Sequence, residues 1–266
     1  MDLRLTGKSA LVCAASKGLG KASAMALAAE GASVAICARD ASTLDAAAAE
    51  IGRTAAATGA RVVAIQADLS KAADIERLLA GTTDAFGGLD ILVTNTGGPK
   101  SAPFIALTDE DWTSSIESML LSVVRLVRGA VPHMRQRGGG RIINVTSISV
   151  KQPIDGLVLS NSLRAAVTGL SRTLANELAR DNILVNCVAP GFTATDRVVE
   201  LADAVAAREG TTRDAVQRRT ESTIPLGRMG TPEEFGAVVA FLASPRASYV
   251  TGTTVQVDGG FVKSLL

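Results

Sequence analysis

Ser9-Ala10-Leu11-Val12-Cys13-Ala14-Ala15-Ser16-Lys17-Gly18-Leu19-Gly20 gives the chain an apolar run, a short polar turn and two glycines. A helical pattern over residues 18–30 follows. A short apolar run bounded by turn residues reads as a strand buried on both faces, and apolar positions three and four apart read as a helix. Strand, glycine turn and helix in this order bring backbone N–H groups to a helix N-terminus. Those groups and the helix dipole favour an anion such as a pyrophosphate, which glycines allow to approach closely. Gly18 and Gly20 alone are a weak signal; the strand–turn–helix context strengthens it.

The alternation continues along the chain. Strand-like runs lie at residues 9–14, 33–37, 61–66, 90–94, 140–146, 184–188 and 253–257. Helical patterns lie between most of them, at 18–30, 41–58, 71–86, 109–137, 157–181 and 231–244. Repetition of strand, helix, strand requires right-handed crossovers. The expected fold is therefore α/β: a single Rossmann-type domain over residues 1–266, its doubly wound parallel sheet covered by helices on both faces. Ligands of such sheets bind beyond the carboxyl ends of the strands, where the winding reverses. Residues 192–228, after Pro190-Gly191, break the rhythm with charged helical patterning. They read as a substrate lid or as a solvated surface excursion.

Composition narrows the function. Lys and Arg (27) nearly balance Asp and Glu (26), which argues against nucleic acid or a membrane surface as partner. Hydrophobic residues make up 47% of the chain and aromatics only 3%, so the apolar content is Ala, Val, Leu and Ile, suited to helices on a buried sheet. Cys13, Cys37 and Cys187 are too few and too irregularly spaced for a disulfide framework or a zinc site, and read as small buried hydrophobes. No metal site is expected. The opening Met1–Lys8 stretch lacks the apolar core of a signal peptide, and no run is long enough to span a membrane. The expected location is cytoplasmic.

With these residues in hand, the chain resembles the short-chain dehydrogenase/reductase family over essentially its whole length. That family opens with Thr-Gly-x-x-x-Gly-x-Gly; here Cys13 and Ala14 stand for the Thr and first Gly, while Gly18 and Gly20 remain. Further matches are Asp68 after the third strand, Asn95-Thr96-Gly97 after the fourth, Ser147 after the fifth, Pro190-Gly191 after the sixth, and Val257-Asp258-Gly259-Gly260. If position 14 requires a positive φ, Ala there costs roughly 1 kcal/mol.

The resemblance implies a nicotinamide dinucleotide held by Ala14, Ser16, Lys17, Gly18, Leu19 and Gly20. Asp68 would hold the adenine, Asn95 and Gly97 would line the channel, and Pro190, Gly191 and Thr193 would lie at the nicotinamide. Asp68 also reads as an acid capping the next helix. Sites that prefer NAD place an acidic residue after the second strand. This chain has Ala38 there, then Arg39, with Lys17 in the glycine loop. Two cations suit the 2′-phosphate, so NADP(H) is expected over NAD(H). Asp40 stands next to Arg39 and is placed to neutralise it in part; both cations also read as plain surface charges.

Family reductases use Ser, Tyr, a Lys four residues later and an Asn on an earlier helix. Ser147 is present, but the same spacing puts Ser160 at the Tyr, Arg164 at the Lys and Met119 at the Asn. Ser160 and Arg164 share a helical face. Their acid–base chemistry differs, since an aliphatic hydroxyl is a far weaker acid than a phenol and Arg stays protonated. Arg164 retains the capacity to bond ribose hydroxyls or an anionic substrate. Tyr249 and His133, the sole residues of their types, read as structural, and Lys151 and Asp155 read as surface charges close enough in sequence to donate a proton.

The leading expectation is an NADP(H)-linked reductase or dehydrogenase of a small-molecule carbonyl or alcohol, resembling the 3-oxoacyl-[acyl-carrier-protein] reductases. Ser147, Ser160 and Arg164 form its catalytic set. Two others stand beside it: an NADP(H)-binding sensor or scaffold without turnover, and an enzyme doing different chemistry on this fold. The resemblance further implies a homodimer or homotetramer.

Overall fold

Seven of the apolar runs are strands in the computed structural model, which describes residues 2–265. Met1 and Leu266, at the two ends of the expected domain, lie outside the described residues. The strands are β1 (Ser9–Val12), β2 (Ser33–Ala38), β3 (Val62–Gln66), β4 (Ile91–Thr94), β5 (Gly140–Val145), β6 (Ile183–Pro190) and β7 (Thr254–Val257). They form one parallel sheet in the order β3-β2-β1-β4-β5-β6-β7. The winding reverses between β1 and β4, and a crevice opens there at the carboxyl edge.

Alternation along each strand builds two cores. Ala10 and Val12 of β1 face one layer with α1 (Gly18–Ala29), α2 (Ala41–Ala56) and α9 (Pro232–Ala243). Leu11 and the following Cys13 face the other, with α3 (Ala72–Phe86), α5 (Ser122–Gln136) and α6 (Val158–Leu178). All three cysteines are buried free thiols. Among the described residues, no helix is long and apolar enough to cross a membrane, and no group of His, Cys, Asp and Glu is arranged to hold a metal.

Two boundaries differ from the sequence reading. β1 stops at Val12, because Ala14 takes φ +47° and turns the chain out of the sheet. The long pattern 109–137 is α4 (Asp109–Ile116), a π-helical turn (Glu117–Leu121) and α5. Residues 192–228 contain α7 (Asp196–Glu209) and α8 (Arg213–Ser222), which share a small cluster of Ala202, Ala206 and Val216.

Helix starts show what is special about α1. Asp40 caps α2 by accepting from Thr43 N at 2.8 Å, and Thr231 with Glu234 forms a capping box on α9. α1 leaves an extended Lys17 with no side-chain cap and no acid in its first turn. Its orphan N–H groups therefore face the crevice. α9 holds α1 from behind through fully buried Phe235 and through Gly236, where a Cβ would lie 2.6 Å from Ala22 O. Gly236→Val is expected to destabilise the protein by about 1–3 kcal/mol through forced separation of α1 and α9. Gly169→Ala, where a Cβ meets nothing within 4 Å, is expected to stabilise it by about 0.5–1 kcal/mol. Urea unfolding of the two variants checks both signs.

Candidate active site

The loop after β1 is held on three sides. Cys13 N donates to Val93 O, Ala15 N donates to Cys37 O (both 3.0 Å), and Asn95 Nδ2 donates to Ala14 O at 3.2 Å. Ala14 thus adopts the left-handed conformation that its methyl disfavours. Gly20 packs directly beneath: a Cβ there would collide with Ala14 O and lie 2.8 Å from Asn95 Nδ2. Asn95 therefore braces the loop through its side chain. Ser16, Lys17, Gly18 and Leu19 complete the turn and the uncapped start of α1.

Arg39 follows β2, and its carbonyl accepts from Gln66 Nε2 at 2.7 Å. Asp40 does not neutralise it. The Asp40 carboxylate is taken up by Thr43, whose backbone N–H and hydroxyl hold its pKa below the usual range. Among the described residues, no carboxylate lies at ion-pair distance from Arg39. Asp68 is not a helix cap. It accepts from Ser70 N (3.0 Å) and Ser70 Oγ (2.8 Å), a local turn ahead of α3. Burial opposes its ionisation, but Ser70, Lys71 and Arg39 hold its pKa low. Pro190 ends β6, Gly191 N donates to Val257 O, and buried Thr193 pairs with Gly230. A Cβ on Gly191 would lie 2.7 Å from Asp258 Cα, so the two motifs meet in space. A Cβ on Gly97 would meet nothing within 4 Å.

Ser147 sits just past the carboxyl end of β5, where its Oγ accepts from Ser149 N at 3.1 Å. Ser160 and Arg164 lie one turn apart on α6. Arg164 Nε donates to Ser160 Oγ (3.3 Å) and Nη1 donates to Val145 O (2.9 Å), which ties α6 to β5 beside Ser147. Among the described residues, no carboxylate pairs with Arg164. Burial pushes its pKa down to about 10, still a cation at neutral pH. Met119 is buried inside the π-turn, a helix irregularity that is frequent at functional sites.

The other candidate proton donors are elsewhere. Lys151 lines a separate groove with Thr168, Arg172, Gly252 and Thr253. Tyr249 is fully exposed on the segment leading to the amino end of β7. His133 lies at the far end of α5. Asp155 is exposed in the turn before α6.

Two features were not anticipated. Buried Thr94 Oγ1 donates to Asn144 Oδ1 (2.6 Å), and Asn144 Nδ2 donates to Ser171 Oγ (2.7 Å), linking β4, β5 and α6 under the crevice. A polar Asn inside an apolar strand run was the available signal, since buried amides require partners. The first turn of α7 lies over the loop. Glu200 Oε1 is 3.9 Å from Lys17 Nζ, and a Cβ on Gly98 would lie 3.5 Å from Arg197 Nε.

The sequence profile described as enoyl-(acyl carrier protein) reductase matches residues 13–262. A 3-oxoacyl-[acyl-carrier-protein] reductase of Synechocystis sp. is 37% identical over 260 residues, covering 97% of this chain and 98% of that protein. The chain belongs to the short-chain dehydrogenase/reductase family. The short-chain reductase NovJ of Streptomyces niveus is likewise 37% identical, covering 94% of this chain and 92% of its own length. The L-sorbose reductase of Gluconobacter frateurii, solved with NADPH and L-sorbose, superposes with a TM-score of 0.94 at 34% identity over the whole of both chains. Family membership makes the expected reading of this short-chain dehydrogenase/reductase as an oxidoreductase sound.

The loop packing has a direct consequence. Gly20→Ala is expected to destabilise the fold by about 1–3 kcal/mol. Ala14→Gly relieves the left-handed strain, offset by greater freedom when unfolded, and is expected to stay within about 1 kcal/mol of the parent. Chemical denaturation reads both; a Gly20→Ala variant as stable as the parent would contradict the packing.

Proposed function

We propose that this chain is an NADP(H)-linked oxidoreductase that interconverts a small-molecule carbonyl and its alcohol, akin to the 3-oxoacyl-[acyl-carrier-protein] reductases. Ser147, Ser160 and Arg164 form its non-standard catalytic set, and NADP(H) is preferred over NAD(H). The observation that carries the cofactor preference is Arg39. It stands after β2 with no carboxylate at ion-pair distance among the described residues, because Asp40 is committed to capping α2. The uncapped α1 N-terminus suits a pyrophosphate, and the NADPH bound by the L-sorbose reductase agrees with that choice.

The residues fit the dinucleotide. Ala14 and Ser16 to Gly20 would hold its pyrophosphate; Lys17 and Arg39 would take the 2′-phosphate. Asp68 would hold the adenine, with Asn95 and Gly97 along the channel. Pro190, Gly191 and Thr193 would take the nicotinamide, and Arg164 its ribose. When bound, the nicotinamide supplies or accepts the hydride. Around the substrate, Ser147 donates a hydrogen bond to the carbonyl oxygen. The Arg164 cation stabilises negative charge developing on that oxygen, a term that is large where water is excluded. Ser160 Oγ accepts from Arg164 Nε, which leaves its own O–H to donate. It relays a proton from water to the product oxygen, since Arg164 stays protonated. α7 and α8 form the lid, and Lys17, which pairs with Glu200 at 3.9 Å, would be shared between that carboxylate and the cofactor phosphate.

Arg39→Ala is expected to weaken NADPH binding about tenfold or more, the equivalent of one charge-assisted contact of about 1.4 kcal/mol, with NADH binding nearly unchanged. Calorimetric titration with both cofactors measures it, and equal loss for the two would remove the 2′-phosphate assignment. Turnover is tested by NADPH oxidation against a panel of 3-oxoacyl thioesters, ketones and aldehydes. Tight binding with no oxidation of any member would favour the sensor reading. In the active case, kcat/KM is expected to be flat around neutral pH and to fall as pH rises through about 10. Burial lowers Arg164 to that value, and raising pH removes its charge. A profile with no fall there would take the Arg164 charge out of the mechanism.

A further inference from the structure

A second cavity lies at the amino edge of the sheet, the end remote from the glycine loop. The segments entering β1, β4 and β5 enclose it, and its charged lining is Lys8, Asp90, Arg137 and Arg141. Asp90 is the single carboxylate there. It is buried and fully engaged, accepting from Ser9 N (3.0 Å), Ser9 Oγ (2.9 Å), Lys8 Nζ (3.1 Å) and Arg137 Nη2 (3.2 Å). Burial opposes its ionisation, but these four donors keep it below the usual carboxylate range.

Arg141 receives no share of that charge. Its Nη1 donates only to the neutral carbonyls of Gly140 (2.9 Å) and Asn182 (3.4 Å), and its buried Nε has no acceptor. Among the described residues, no carboxylate lies at ion-pair distance from it. Three cations therefore meet one carboxylate in a common cavity. Burying a guanidinium without a counter-ion is costly, and desolvation lowers the Arg141 pKa accordingly. Gly138 also lines the cavity, and a Cβ there would find nothing within 4 Å. Among the described residues, Arg141 Nη2 makes no hydrogen bond, which leaves a guanidinium donor for an oxyanion, and Lys8 and Arg137 add positive charge to the same lining.

We propose that this cavity is a binding site for a phosphate-type oxyanion, either inorganic phosphate or the phosphate of a monoester, gripped by Arg141 with Lys8 and Arg137. It is separate from the proposed cofactor phosphate sites, at the opposite edge of the sheet, and it does not depend on turnover.

The test is hydrogen–deuterium exchange of the full chain, with and without saturating NADPH, on adding millimolar inorganic phosphate or methyl phosphate against sodium chloride of equal ionic strength. Protection by phosphate or its ester over residues 88–91 and 137–141, beyond that given by chloride, is the expected result, and the better protector identifies the natural source. Protection confined to residues 14–20 and 39, or matched by chloride, would overturn the proposal. Calorimetry then reads Arg141→Gln, expected to weaken phosphate binding about tenfold. Lys8→Gln, which leaves Arg141 in place, is expected to weaken it by a smaller factor and stands in if Arg141→Gln fails to fold. Unchanged affinity in the folded variants would equally overturn it.

Discussion

β1 pairs in parallel with β2 on one side and β4 on the other, and the chemistry of the protein depends on that double pairing. A strand so placed can bury side chains on both faces, and it does: Ala10 and Val12 go one way, Leu11 and Cys13 the other. With both faces and both edges closed, only its carboxyl end is left for function. The crossover after β1 runs to β2 and the one after β4 runs the other way to β5, so the loops after β1 and β4 part and open a crevice. The Ala14 turn, braced by Asn95 from the loop after β4, is the floor of that crevice.

Charge is handled differently at the two ends of the sheet. At the carboxyl edge, Arg164 is desolvated against α6 and β5 and answered only by a hydroxyl and a carbonyl. Such a cation is expensive unless something anionic, or becoming anionic, shares the site. Charge developing on a substrate oxygen meets that description. At the amino edge, Asp90 gathers Lys8 and Arg137 and leaves Arg141 without an acid. Both sites combine a desolvated Arg with no carboxylate at ion-pair distance among the described residues, the feature on which both proposals rest.

The alternation of apolar runs made the sheet and its six covering helices readable, because burial on two faces demands continuous Val, Leu, Ile and Ala. That Ser160 and Arg164 share a face was readable because a helix keeps residues four apart together; their spacing from Ser147 was readable only through the family resemblance. The bracing of Ala14 by Asn95 was not, since that contact joins residues far apart in sequence. Nor was the fate of Asp40. Beside Arg39 in the chain it reads as a partner, but the start of α2 turns it toward Thr43. Lys151 reads as near Ser147 and folds into a different groove, because the chain reverses between them at residues 148–150.

The sequence by itself therefore determined the layers and the doubly wound class of the sheet. These follow from period and burial, which are properties of short segments, while the residues expected at the cofactor and catalytic positions came from the family resemblance. Tertiary structure alone decided which charges are free. Whether Arg39, Arg164 or Arg141 has a counter-ion depends on which carboxylates the folded chain brings within reach. It also decided that Ala14 carries a positive φ, since the strand pairings of Cys13 and Ala15 and the packing of Gly20 and Asn95 against its carbonyl hold that conformation.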